Sequence, residues 1–199
     1  MTTYTFPAVT PTTSTFELIT NTKKFQSPLS GAVQTADRKG ARWRVTMSFK
    51  NLSGVNRALM QSFLAKLNGQ EHRFYLQDHS YTKRGAGSGT IDVKGASQTG
   101  STLLCDGASF AVTNILREGD YIAFNNELHM VTTDASSDGS GNVTLTIAPP
   151  IRKPTNDNDL IDTDVPVLGV FMLGSKAAWS NSVGLFSDFS IEAIEDVLA

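Results

Sequence analysis

One cysteine, Cys105, occurs in the 199 residues, so neither an intramolecular disulfide nor a cysteine-based zinc site is open to this chain. Within Thr102-Leu103-Leu104-Cys105-Asp106 it reads as a small apolar filler in a strand. Histidine is nearly as scarce. His72 and His79 stand seven apart, where a continuing strand would aim them at opposite faces, and neither they nor His129 has a ligand at metal spacing. Charge is sparse and balanced: 18% of residues are charged, 17 basic against 19 acidic, for a net of −2. That excludes a strongly basic nucleic-acid binder and an acidic solvating tail. No apolar run is long enough to span a bilayer, since the longest, Val165 to Leu173, is broken by Pro166 and Gly169. Met1 to Pro7 has neither a basic nor an apolar leader region, so we expect no signal peptide and a reducing, aqueous compartment.

What the chain does have is Thr, Ser, Asn and 16 Gly, a composition suited to short strands and turns. One segment has helical period. Val55, Leu59, Phe63 and Leu67 recur every four positions, widened by Met60 and Leu64, with Ser53 as N-cap and Asn68-Gly69 as the left-handed stop. The spacing predicts a helix near 54–67 with this stripe in the core. The clearest strand is Arg42 to Lys50, with Trp43, Val45, Met47 and Phe49 on one face and a polar, basic face opposite. Shorter alternations appear at 16–18, 72–76 and 189–193.

The middle of the chain has a different texture. Five short strand candidates, at 90–94, 102–105, 121–124, 128–132 and 143–147, are separated by turn-rich pieces. Five short strands joined by turns point to a small OB-like barrel. We therefore expect a mainly β (α+β) chain. Residues 1–85 and 163–199 would form a discontinuous β-sandwich-like domain with one helix, and residues 86–162 an inserted five-stranded barrel entered through a flexible hinge at Gly85-Ala86-Gly87-Ser88-Gly89. Charge divides the same way. Residues 86–162 hold four bases and ten acids, net −6, and the remainder is +4. The discontinuous domain, with its own core, should survive deletion of 88–160.

The standard catalytic patterns are missing. There is no Gly-x-Ser-x-Gly elbow and no phosphate loop, and the glycines at 85–89 do not open a helix. The acidic loop at 134–139 lacks the ligand alternation of a calcium-binding helix-loop-helix, and the one at 156–159 could give oxygen ligands but reads equally as a solvated loop. No catalytic, cofactor or metal residue is nominated, and an enzyme is not expected. A barrel of net −6 also opposes single-strand nucleic-acid binding.

Three pieces of the middle segment carry a likeness. Gly95-Ala96-Ser97-Gln98-Thr99-Gly100-Ser101-Thr102-Leu103 precedes Leu116-Arg117-Glu118-Gly119-Asp120-Tyr121-Ile122, and a final strand from Val143 ends at Pro149-Pro150-Ile151. Together they resemble the OB-like domain of distal tail proteins, the baseplate ring proteins of long-tailed, siphovirus-like bacteriophages of Gram-negative hosts. Arg117-Glu118 stand where that pattern has Lys-Ala. The flanks, with a basic strand, one helix and closing strands bearing Phe171, Trp179 and Phe189, resemble the ring-forming domain of the same proteins.

The resemblance implies a structural virion protein of the tail tip, assembled in the host cytoplasm. It would form a hexameric ring joining the tail tube to the hub and receptor-binding apparatus, without a cofactor or membrane contact, and viral DNA would pass through the lumen unread. Arg42, Arg44 and Lys50 would then meet Asp188, Glu192, Glu195 and Asp196 of a neighbouring copy. The alternative reading is a baseplate module that binds a host-surface glycan through stacking on Tyr121 or Phe124. A third, a small hydrolase, would turn on His72 or His79.

Overall fold

The computed structural model describes residues 1–38, 40–87, 90–165 and 167–196. The chain is mainly β, with 47% in strands and 7% helical, the described residues forming one helix. In order, the elements are β1 (Thr3–Thr5), β2 (Thr13–Ile19), β3 (Thr22–Gln26), β4 (Val33–Asp37), β5 (Arg42–Leu52), α1 (Gly54–Leu67), β6 (Arg73–Leu76), β7 (Ile91–Val93) and β8 (Gly100–Asp106). There follow β9 (Tyr121–Phe124), β10 (Glu127–Val131), β11 (Val143–Ile151), β12 (Leu160–Ile161), β13 (Gly169–Ser182) and β14 (Phe186–Glu195).

The first sheet has the order β1-β6-β13-β14-β5-β2, antiparallel except for the β1–β6 pair. Alternation along β5 sends Trp43, Val45, Met47 and Phe49 inward, as its period requires, and all four are buried. Cross-strand partners extend that face, with Phe189 opposite Phe49 and Ile191 opposite Met47. Helix α1 covers it. Phe63 meets Phe6 and Phe74 edge-on at 5.1 and 5.5 Å, and Phe6 stacks on Phe49 at 6.1 Å.

The helical stripe differs from the expected one. Met60, Phe63, Leu64 and Leu67 are the buried set, while Val55 is 73% exposed and Leu59 is exposed too. Positions i, i+3, i+4 and i+7 from Met60 define the inward face, and the first turn, which contains no buried residue, lies beyond the core. Asn68 is the left-handed stop that its identity predicted, whereas Ser53 occupies the N-cap without a side-chain bond.

The second sheet, β12-β7-β8-β11-β10-β9, has six strands where five were expected, because residues 160–161 add a short one. It nearly closes into a barrel. Ala123 and Asp162 exchange backbone hydrogen bonds at 2.9 and 2.8 Å, joining the two ends of the sheet. Its interior is an apolar cluster of its own that includes Leu103, Ile122, Val131 and Leu145. Cys105 sits there, its thiol pushed up to about 12 by burial and by the charge of Asp106. The first core, however, also takes in Tyr121, Ala123 and Leu128 from β9 and β10.

Candidate functional site

The wall between the two sheets holds four ionisable side chains. Glu127 and His129 on β10, Arg152 just after β11 and Glu195 at the end of β14 are all buried or nearly so. Arg152 donates from both terminal nitrogens to Glu195, each at 2.8 Å, and from Nη1 to the Ala41 carbonyl at 2.7 Å. Its Nε lies 3.3 Å from Glu127 Oε2, which also faces His129 Nε2 at 3.4 Å. The remaining capacity of Glu195 is filled by the backbone N–H groups of Trp43 and Leu128, at 3.1 and 2.8 Å. Trp43 in turn donates its indole N–H to the Leu128 carbonyl at 2.9 Å.

A buried carboxylate and guanidinium persist when paired and hydrogen-bonded; the fork-to-fork geometry satisfies Glu195 and both terminal nitrogens of Arg152, while Arg152 Nε has only the ion-pair contact with Glu127. Burial pushes the Glu127 carboxyl up, but the His129 hydrogen bond and the Arg152 charge outweigh it and hold it below the usual range. Burial likewise opposes the Arg152 charge, and the Glu195 and Glu127 partners outweigh it and raise it. His129 stacks on Phe124 at 4.6 Å, and its Nδ1 reaches the Pro149 carbonyl at 2.8 Å. The constellation fixes the barrel to the first sheet; Glu127, His129 and Glu195 are buried, and Arg152 borders a cleft of about 360 Å³ that Ala41, Gly100 and Pro150 also line.

A second clamp uses one carboxylate. Asp120, fully buried, accepts the backbone N–H groups of Arg84, Gly85 and Arg117, each at 2.8 Å, and the Tyr81 hydroxyl at 3.2 Å. The Gly119-Asp120 turn is thereby tied to the segment that enters the barrel. The expected flexible hinge is corrected here. A side-chain carbon on Gly85 would run into the Ile115 carbonyl, and one on Gly87 would lie 2.6 Å from that oxygen, while Gly87 N–H donates to it at 2.9 Å. These glycines are needed for close backbone approach rather than for freedom; Ser88 and Gly89 lie outside the described residues. Gln98 plays a matching role in the β7–β8 turn: its side chain donates to Lys94 and Leu104 carbonyls at 2.8 and 3.0 Å and accepts Leu104 N–H at 2.7 Å.

Several residues nominated from sequence are engaged elsewhere. Arg44 pairs with Glu17 and Glu192 of its own chain at 3.6 and 3.3 Å, and Lys50 with Asp188 at 3.1 Å. Glu195 is the buried partner of Arg152, and Asp196 is paired with Arg73. The strand pairing that brings β14 and β2 beside β5 thus gives Arg44 and Lys50 partners within the molecule. Tyr121 and Phe124 are buried, Tyr121 against Trp43 and Tyr81 at 5.8 and 5.1 Å, so no sugar reaches either ring.

The two histidines named for hydrolysis have different surroundings. His72 packs edge-on against Tyr4, and His79 against Phe6 beside a cleft of about 380 Å³ lined by Pro7, Val9 and Tyr75. Burial, opposed by the charge of Asp78, lowers the His79 pKa. The acidic loops cap their own turns: Asp138 accepts Ser140 and Asn142 N–H groups, and Asp159 accepts that of Asn156.

Sequence reasoning missed two surfaces. The β3–β4 hairpin is exposed at every strand position, and Phe25, Leu29 and Val33 are open to solvent, Leu29 at 98%. The tip of the β13–β14 hairpin exposes Val183 at 102%, Leu185 at 75% and Phe186 at 41%. Register puts them at opposite ends of β5, since Ile19, just before β3, faces Arg42 and Ser187, just after the tip, faces Leu52. The turn Ser27-Pro28-Leu29-Ser30-Gly31 was the legible signal for the first of them. Among the described residues no helix is long and apolar enough to cross a membrane. No family model matches the chain, and no curated protein matches it significantly.

Proposed function

We propose that the chain is a structural subunit of a phage tail tip, a distal-tail-type protein that closes into a hexameric ring between the tail tube and the hub with its receptor-binding apparatus. In this reading the first sheet with α1 is the sandwich-like ring domain, residues 1–85 and 163–199, and the barrel of residues 86–162 is an OB-like outer domain. Viral DNA passes through the lumen without specific contact, and the role is non-enzymatic.

The observation that carries the reading is the pair of exposed apolar hairpins at opposite ends of β5. A closed ring is built from heterologous contacts, in which each copy offers two different surfaces. Large solvent-facing apolar groups on two separate projections supply two such surfaces, and monomeric proteins seldom leave them uncovered. The sequence likeness in the Gln98 and Asp120 turns supports the same reading, because each side chain makes the hydrogen bonds that hold its turn. Solution mass measured across a concentration series, with negative-stain images of the largest species, tests it. Six-subunit rings are expected, and a chain that stays monomeric at its highest soluble concentration overturns the reading.

A further inference from the structure

An isolated two-stranded hairpin is marginally stable in water. The β3–β4 hairpin buries none of its ten strand residues, yet each of its faces carries a lysine and an apolar side chain: Lys23 with Phe25 on one, Lys24 with Val33 on the other. Such a hairpin gains most by lying against a surface that is acidic and partly apolar.

The barrel has one. Asp92 on β7 stands directly opposite Asp106 on β8, and Leu160 on β12 stands opposite Asp92 from the other side. Leu104, two residues from Asp106, shares the outward face, and both leucines are exposed. Like charges directly opposite each other weaken a strand pair. Among the described residues no ion pair relieves either carboxylate; Lys94 on the same face is bonded to Asn142.

We propose that the β3–β4 hairpin of one copy lies across this outward barrel face of the next copy through its Lys23/Phe25 face, with Lys23 set against Asp92 and Asp106 and Phe25 against Leu104 and Leu160, while Lys24 on the opposite face adds to the local positive charge. The inference rests on the ring reading and specifies one of its contacts. It is a heterologous contact joining the +4 part of one chain to the −6 part of another.

Charge reversal in both directions tests it. Lys23→Glu with Lys24→Glu should raise the dissociation constant of the oligomer roughly tenfold, as should Asp92→Lys with Asp106→Lys. A chain carrying all four changes should recover wild-type association, read by light scattering at fixed concentration and salt. Thermal melts matching the wild type verify that each variant is folded. As a second measurement, Phe25→Cys with Leu160→Cys should give a ladder of disulfide-linked copies on mild oxidation, since Cys105 is buried and does not compete. If both double variants form wild-type rings, or the fourfold variant fails to recover, the hairpin–barrel contact is overturned while the ring stands. A wild type that never associates overturns both.

Discussion

At the scale of single residues, the molecule invests its burial of charge in joining two sheets. Glu127 shows what this implies for acid stability. Its carboxyl lies below the usual range in the folded chain, through burial outweighed by the His129 hydrogen bond and the Arg152 charge. A depressed carboxyl contributes stability that is fully present above its unfolded value, about 4.3, and is lost as pH falls through the folded one. Glu127→Gln should therefore cost about 3 kcal/mol at pH 7, by leaving Arg152 and His129 short of a partner. Its melting temperature should then fall less steeply than that of the wild type between neutral pH and pH 3. Parallel acid slopes for the two proteins would assign the acid sensitivity to other groups. None of this cluster was legible beforehand, because its members come from three separate stretches and each has an ordinary neighbourhood in sequence.

Elements were easier to read. The period-2 pattern of Arg42 to Lys50 located β5 and its inward face, and Tyr121–Phe124 was placed to the residue, because alternation and bounding turns are local properties. The helix was placed correctly, but its stripe began one turn early: Val55 and Leu59 fit the spacing and still point away from the core. Periodicity gives a face, whereas the extent of the sheet beneath decides how far along the helix that face is covered. Phe63 remains central by either count. Phe63→Ala should cost roughly 3–5 kcal/mol in a denaturant titration, since Phe6 and Phe74 are left lining a cavity. The segment entering the barrel gives a sharper test of close packing. Gly87→Ala puts a methyl group 2.5 Å from Ile115 Cγ1 and should cost about 1–3 kcal/mol, although a glycine in a flexible linker would tolerate alanine without loss.

For the whole molecule, turn texture and charge separated residues 86–162 from their surroundings, and the apolar clusters show why that division is incomplete. Tyr121, Ala123 and Leu128 pack in the first core, and Arg152 satisfies Glu195. Deleting 88–160 would remove Tyr121, Ala123 and Leu128 from the first core, take away the partners of Glu195 and of the Trp43 indole, and open that apolar face to water. We expect the deletion variant to lose its cooperative thermal transition. A cooperative melt in the deletion variant would show that the first sheet stands without these contacts. Pairings of this kind depend on which strands become neighbours, and sequence pattern carries little of that information.

Strand β14 has one further consequence, a mechanical one. It begins beside the exposed hairpin tip at Phe186 and ends at Glu195, inside the charge cluster. At about 3.3 Å per residue these positions lie about 30 Å apart, joined by a strand hydrogen-bonded on both sides. Such a strand resists stretching and sliding far better than a loop. A push or pull delivered at the tip would therefore arrive at the carboxylate that grips Arg152, making β14 a stiff rod between the exposed apolar tip and the bond that holds the barrel.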